Sequence, residues 1–156
     1  MESRLNYAKA FPEGVHALLN LGKIIKDSGL EHSLLELVKI RASQLNGCAY
    51  CLDMHTKDAR AAGETEQRIY TLPAWRETPF FTARERAALA WTEAITNIQQ
   101  GHAASDVYDA ALEAFSEGEL ARLTMAIAQI NMWNRIAIAF RAEAGTYHPA
   151  AEAVRT

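Results

Sequence analysis

Apolar residues recur every three or four positions along most of this chain, and no segment alternates apolar and polar residues as a half-buried strand would. Val15, Leu18, Leu19, Gly22 and Ile25 set the pattern behind Pro12, which fits a helix's first turn because its missing N–H has no partner there. Gly29 is a plausible stop. Ser33-Leu34-Leu35-Glu36 has the spacing of a capping box, and the helix it opens should run to about Asn46. Asn46-Gly47 breaks the pattern, because both residues tolerate positive φ. A new helix is expected from near Cys48 to just before Gly63, and a short one from Thr65 to near Pro73. Pro73 to Pro79 reads as a loop carrying Trp75. Thr82-x-x-Glu85 and Ser116-x-x-Glu119 are further capping boxes. They open helices to about Ile98 and, after a Ser105-capped helix to Phe115, a long run to Ala144 that Gly145 stops. The prediction is an all-α fold of six or seven helices in a single domain over residues 1–156. The tail after Tyr147 is expected to fray or to dock on a partner.

Composition narrows the partners. The 156 residues are 49% hydrophobic and 22% charged, so the chain can bury a core. Sixteen basic against nineteen acidic side chains give a net charge of −3, with no surplus to attract nucleic acid or an anionic membrane. Its longest apolar runs fall far short of the roughly 18–20 residues of a membrane span. The first residues lack an apolar signal core, so the expected location is cytoplasmic.

The two cysteines, Cys48 and Cys51, stand three apart. In a reducing compartment such a pair suits redox or metal chemistry better than a structural crosslink. At about 100° per residue, Cys48, Cys51 and His55 fall within a helical stripe roughly 60° wide. A helix that begins just after Gly47 places both thiols at its positive end, which favours the reactive thiolate. His55 could exchange a proton with Cys51. Glu36, twelve residues before Cys48, could fold back to fix the tautomer of His55. On local sequence alone the same carboxylate could simply close the Ser33 capping box.

Glu36, eleven residues, Cys48-x-x-Cys51, three residues and His55, within Arg41-Ala42-Ser43-Gln44-Leu45-Asn46-Gly47, resembles the motif of the alkylhydroperoxidase D (AhpD)-like branch of the carboxymuconolactone decarboxylase family. The helical pattern from residue 21 to about 98 is similar to that family's core, and Asn131-Met132-Trp133-Asn134-Arg135 is less specifically so. The resemblance implies an oligomer, trimeric or hexameric, with a peroxidase cycle. Cys51 would attack the hydroperoxide. Cys48, the more exposed sulfur, would close the redox disulfide and meet an external dithiol of lipoyl or thioredoxin type. Glu36 and His55 would relay the proton, and no metal, haem or flavin would be needed. One position departs from the family pattern: Tyr50 stands where the best-studied AhpD proteins carry a second histidine. A phenol with pKa about 10 accepts protons poorly at neutral pH, so a shorter relay is expected, with Tyr50 lining the site or packing on a neighbouring subunit.

Other readings of these residues are a zinc site built on the cysteine pair with His55 and Glu36, decarboxylase-type chemistry with incidental thiols, and a non-catalytic redox-sensing module. Trp133, Asn134 and Arg135 read as core or interface packing. His16, His32, His102 and His148 have no partner spacing. Trp75 with Phe80-Phe81 could wall a pocket or touch another subunit, and Arg84-Glu85-Arg86 reads as a solvated helix start.

Overall fold

A computed structural model describes residues 2–149, which form an all-helical fold. Eight α-helices follow in chain order: α1 (Tyr7–Ala10), α2 (Pro12–Lys26), α3 (His32–Asn46), α4 (Ala49–Ala61), α5 (Glu66–Thr71), α6 (Ala83–Thr96), α7 (Ser105–Ala114) and α8 (Glu117–Phe140). A 3-10 turn, Leu72–Glu77, links α5 to α6. No strand occurs among the described residues.

Helix α3 is the hub, packed by α4, α6 and α8. Leu34, Leu35, Leu37, Val38 and Ile40 bury apolar side chains around much of its circumference, the pattern of a helix enclosed by others rather than floated on a surface. One core joins α3 to α2, α6, α7 and α8 through Leu35, Val38, Leu123 and Ile127. A second joins it to α4, α5, the 3-10 turn and α6 through Leu37, Ile40, Ala59, Ile69, Leu72 and Leu89.

The Thr82/Glu85 and Ser116/Glu119 capping boxes both form as predicted. The Ser33 box does not. Glu31 is the N-cap, α3 starts at His32, and the Glu36 carboxylate is engaged elsewhere. Ser105 is likewise the first residue of α7 rather than its cap. Helix α6 ends at Thr96, short of Ile98. Helix α8 stops at Phe140 instead of Ala144, because Arg141 turns left-handed (φ 55°) and the Ala142 N–H donates to Ala137 O. The expected Pro73–Pro79 loop is largely the 3-10 turn, and Trp75 is a core residue whose Nε1–H donates to Glu93 at 2.8 Å. Arg84 and Arg86 are not simply solvated: Arg84 pairs with Glu31 and Glu119, and Arg86 donates to the Trp75 and Thr78 carbonyls.

Helix α1 was not predicted. Asn6 caps it, and Tyr7 sets its ring between Trp133 and Phe140 of α8, centroids 6.5 and 6.0 Å away. At the other terminus Tyr147 is tied to α4: its hydroxyl donates to Asp58 at 2.6 Å, and Lys57 donates to its carbonyl at 2.9 Å. The rest of the expectation for the tail falls largely on residues 150–156, outside the described residues.

Candidate active site

The site is built on the break between α3 and α4. Gly47 adopts the left-handed conformation (φ 67°, ψ 34°) that glycine takes without a Cβ clash, and its N–H donates to Gln44 O. The Cys48 N–H donates to Ser43 O at 3.0 Å. Cys48 is then extended (φ −85°, ψ 97°) and is the N-cap of α4, not a residue of its first turn. Its sulfur accepts the Cys51 N–H at 3.4 Å. The predicted stripe therefore holds on the helix for Cys51 and His55, which with Ala59 form the buried face of α4.

This tight reversal lays α4 against α3 and brings Glu36 to His55. Glu36 Oε2 lies 2.9 Å from His55 Nδ1, and Oε1 accepts from Lys39 Nζ at 2.7 Å. Glu36 is 3% exposed. Burial alone would raise its pKa, but the hydrogen bond and charge of His55, with Lys39 behind them, hold it down at about 2. The carboxylate can only accept, so Nδ1 carries a ring proton, and in the neutral ring Nε2 has the lone pair. His32, absent from the sequence-based site, stands 3.8 Å from Glu36 Oε1. Its i, i+4 spacing from Glu36 was the signal for it.

The two sulfurs are unbonded and 2.7 Å apart. Both are 1% exposed, which corrects the expectation of a more exposed Cys48. The cause is packing: Ile130 and Ala137 of α8 and Ala42 of α3 close over the pair. Cys48 is lowered to about 7, chiefly by the hydrogen bond from Cys51, with help from the Cys51 N–H and Asn134 against the cost of burial. Cys51 is raised, chiefly by its bond to Cys48 and then by burial. The two sulfurs thus titrate as a coupled pair, and the first negative charge to form rests on Cys48.

Asn134, read from sequence as packing, is fully buried beside the pair. It accepts from Asn46 Nδ2 at 2.9 Å and donates to Ser43 Oγ at 3.0 Å. Asn46 Nδ2 also reaches Asn131, which donates to Thr96 Oγ1 at 3.0 Å. This network ties α3, α6 and α8 together under the sulfurs.

A cavity of about 450 Å³ opens on the site, within the range of small-molecule pockets. Cys51, His55, Tyr50 and Met54 line it from α4, and Ile130 and Trp133 from α8. Tyr50 therefore faces the cavity. Cys48 is not part of the lining. The four groups suggested for zinc do not converge. The potential ligand atoms that come within 4.8 Å of one another among the described residues belong to Glu36, His55 and Asp58, without either sulfur.

The Carboxymuconolactone decarboxylase family model matches residues 12–94, a span that holds Glu36, Cys48, Cys51 and His55. The uncharacterized protein YdfG of Bacillus subtilis is 45% identical over 139 residues, covering 89% of this chain and 95% of that protein. A crystal structure of a protein of unknown function from Agrobacterium tumefaciens, suggested to be an antioxidant defence protein AhpD, superposes with a TM-score of 0.90. It is 44% identical and covers 94% of this chain and all of that one. The debrominase Bmp8 has the same fold (TM-score 0.78, 21% identity, 86% of this chain and 73% of that one), so the fold does not by itself specify a reaction.

Proposed function

The chain belongs to the carboxymuconolactone decarboxylase family, and on that premise we propose that it is an AhpD-like thiol peroxidase that reduces organic hydroperoxides through Cys51 and Cys48. The observation that carries this reading is the buried Glu36–His55 pair, 2.9 Å apart, behind a cavity lined by Cys51.

In the proposed cycle the Cys51 S–H proton passes to the free Nε2 of His55 as the sulfur attacks the terminal oxygen of the hydroperoxide. An S–O bond forms and the O–O bond breaks. The departing alkoxide takes the proton back from His55 and leaves as alcohol. Glu36 steadies the transient imidazolium. The Cys48 thiolate then attacks the Cys51 sulfenic acid, an S–S bond forms, and the departing hydroxide takes a proton from solvent to leave as water, replacing the one Cys48 lost on ionising. An external dithiol of lipoyl or thioredoxin type restores both thiols by exchange, itself becoming a disulfide. Cys48 has the lower pKa but no face on the cavity, which suits it to the resolving step. Tyr50 can donate to the peroxide oxygens from the cavity wall but is a weak base for the relay.

The proposal includes a homotrimer or homohexamer working in the reducing cytoplasm. Exposed apolar side chains, including Phe11, Ile24, Met125 and Met132, support association between copies. No helix among the described residues is long and apolar enough to cross a membrane.

The test is stopped-flow oxidation of the reduced protein by cumene hydroperoxide. The expected result is one intramolecular disulfide per chain, formed far faster than with a free thiol. A rate equal to that of free cysteine would remove the peroxidase reading.

A further inference from the structure

The cavity beside Cys51 has a direction. Val15, Leu19, Gly22 and Lys26 line it from α2 at i, i+4, i+7 and i+11, one continuous face about 16 Å long. Helix α8 runs along it in the opposite sense. Gln129 donates to the Leu18 carbonyl at 2.7 Å, near the middle of α2, and Trp133 lies beyond it against Tyr7. One end of the groove is therefore aromatic and aliphatic. Lys26 lies at the other end, and Lys39, Cys51 and His55 share the same lining.

The charge is equally lopsided. The titratable side chains facing the cavity are Lys26, Lys39, His55, Tyr7, Tyr50 and Cys51, and none is a carboxylic acid. Lys39 is offset by Glu36 at 2.7 Å. Lys26 makes no ion pair among the described residues. An apolar groove with an uncompensated cation at one end fits an amphiphile whose anion sits at the lysine and whose chain lies toward the aromatic end.

We propose that the cavity selects organic hydroperoxides bearing a carboxylate, with the anion held by Lys26 and the carbon chain laid between α2 and α8 toward Trp133. The reaction at Cys51 rests on the peroxidase reading; the selection of a carboxylate-bearing chain does not.

The binding test uses two unreactive probes of equal chain length, dodecanoate and dodecanol, titrated calorimetrically into the reduced protein. Dodecanoate is expected to bind at least about fivefold tighter at low salt, with the preference shrinking near about 0.5 M salt. Lys26→Gln should abolish the preference and Lys26→Arg should keep it. Equal binding of the two probes, or an unchanged preference in Lys26→Gln, overturns the proposal. A kinetic arm compares linoleic acid hydroperoxide with its methyl ester. A lower KM for the acid, with the acid-to-ester ratio collapsing in Lys26→Gln, supports the site; equal KM values in the native protein overturn it. If dodecanoate is preferred while neither hydroperoxide oxidises Cys51, the anion-selective cavity stands and the peroxidase reading falls.

Discussion

Glu36 and His55 meet at 2.9 Å across the α3–α4 hairpin, the carboxylate sealed from solvent and the ring turned so that its second nitrogen is free. A carboxylate facing bulk solvent would have left His55 as an ordinary helix residue. Held this way, the pair can take a proton from a neighbouring thiol.

Glu36→Gln tests that role. The relay predicts at least a tenfold loss in the rate of peroxide oxidation of Cys51, measured by stopped flow. It also predicts a characteristic acid dependence of stability. The Glu36 pKa is depressed in the folded state, from an ordinary 4.5 to about 2. Its contribution, on the order of 3 kcal/mol at 1.36 kcal/mol per unit, is therefore complete above about pH 4.5 and lost as pH falls toward 2. In urea melts, the gap between the native protein and Glu36→Gln should narrow through that window. A gap that does not change with pH would contradict the assignment.

The cysteine pair should titrate as a unit. Absorbance near 240 nm should report one thiolate per reduced chain appearing around pH 7, the value to which Cys48 is lowered, and the second only in strong alkali, because Cys51 is raised. Cys51→Ala removes the donor to Cys48 and should move the first step upward toward the ordinary thiol range. A step that stays near pH 7 in that variant would assign the lowering to the helix terminus and Asn134 instead.

The fold was legible where its causes are local. Pro12 opens α2, Gly47 breaks the chain between α3 and α4, and Thr82/Glu85 and Ser116/Glu119 form the caps that their spacing announces. Ser33/Glu36 has the same spacing and forms no cap, because the carboxylate is claimed by His55, nineteen residues on, and by Lys39. Local chemistry offers Glu36 two partners, and only the hairpin decides between them. Helix α1 was missed because it is four residues long and is held by Asn6 and by the rings of Trp133 and Phe140, more than a hundred residues away. Cys48 was expected to be the more exposed sulfur, yet α8 covers it, a contact that no spacing within the motif encodes.

Asn134 went unread for the same reason. It sits in an otherwise apolar helix, and its partners Asn46 and Ser43 lie on α3. Asn134→Ala leaves a cavity and removes the partner of Ser43 Oγ, and should cost about 2–3 kcal/mol in a urea melt. It should also move the first thiolate step upward, since Asn134 helps to lower Cys48. A loss of stability with an unmoved thiolate step would make Asn134 purely structural.

Which sulfur takes the oxygen is the centre of the account. Cys48→Ser and Cys51→Ser, each reduced and given one equivalent of cumene hydroperoxide with dimedone present, are read by mass spectrometry of the tryptic peptides. Cys48→Ser should consume the peroxide once and carry the adduct on Cys51, while Cys51→Ser should react no faster than free cysteine. Rapid consumption by Cys51→Ser, with the adduct on Cys48, would contradict the account.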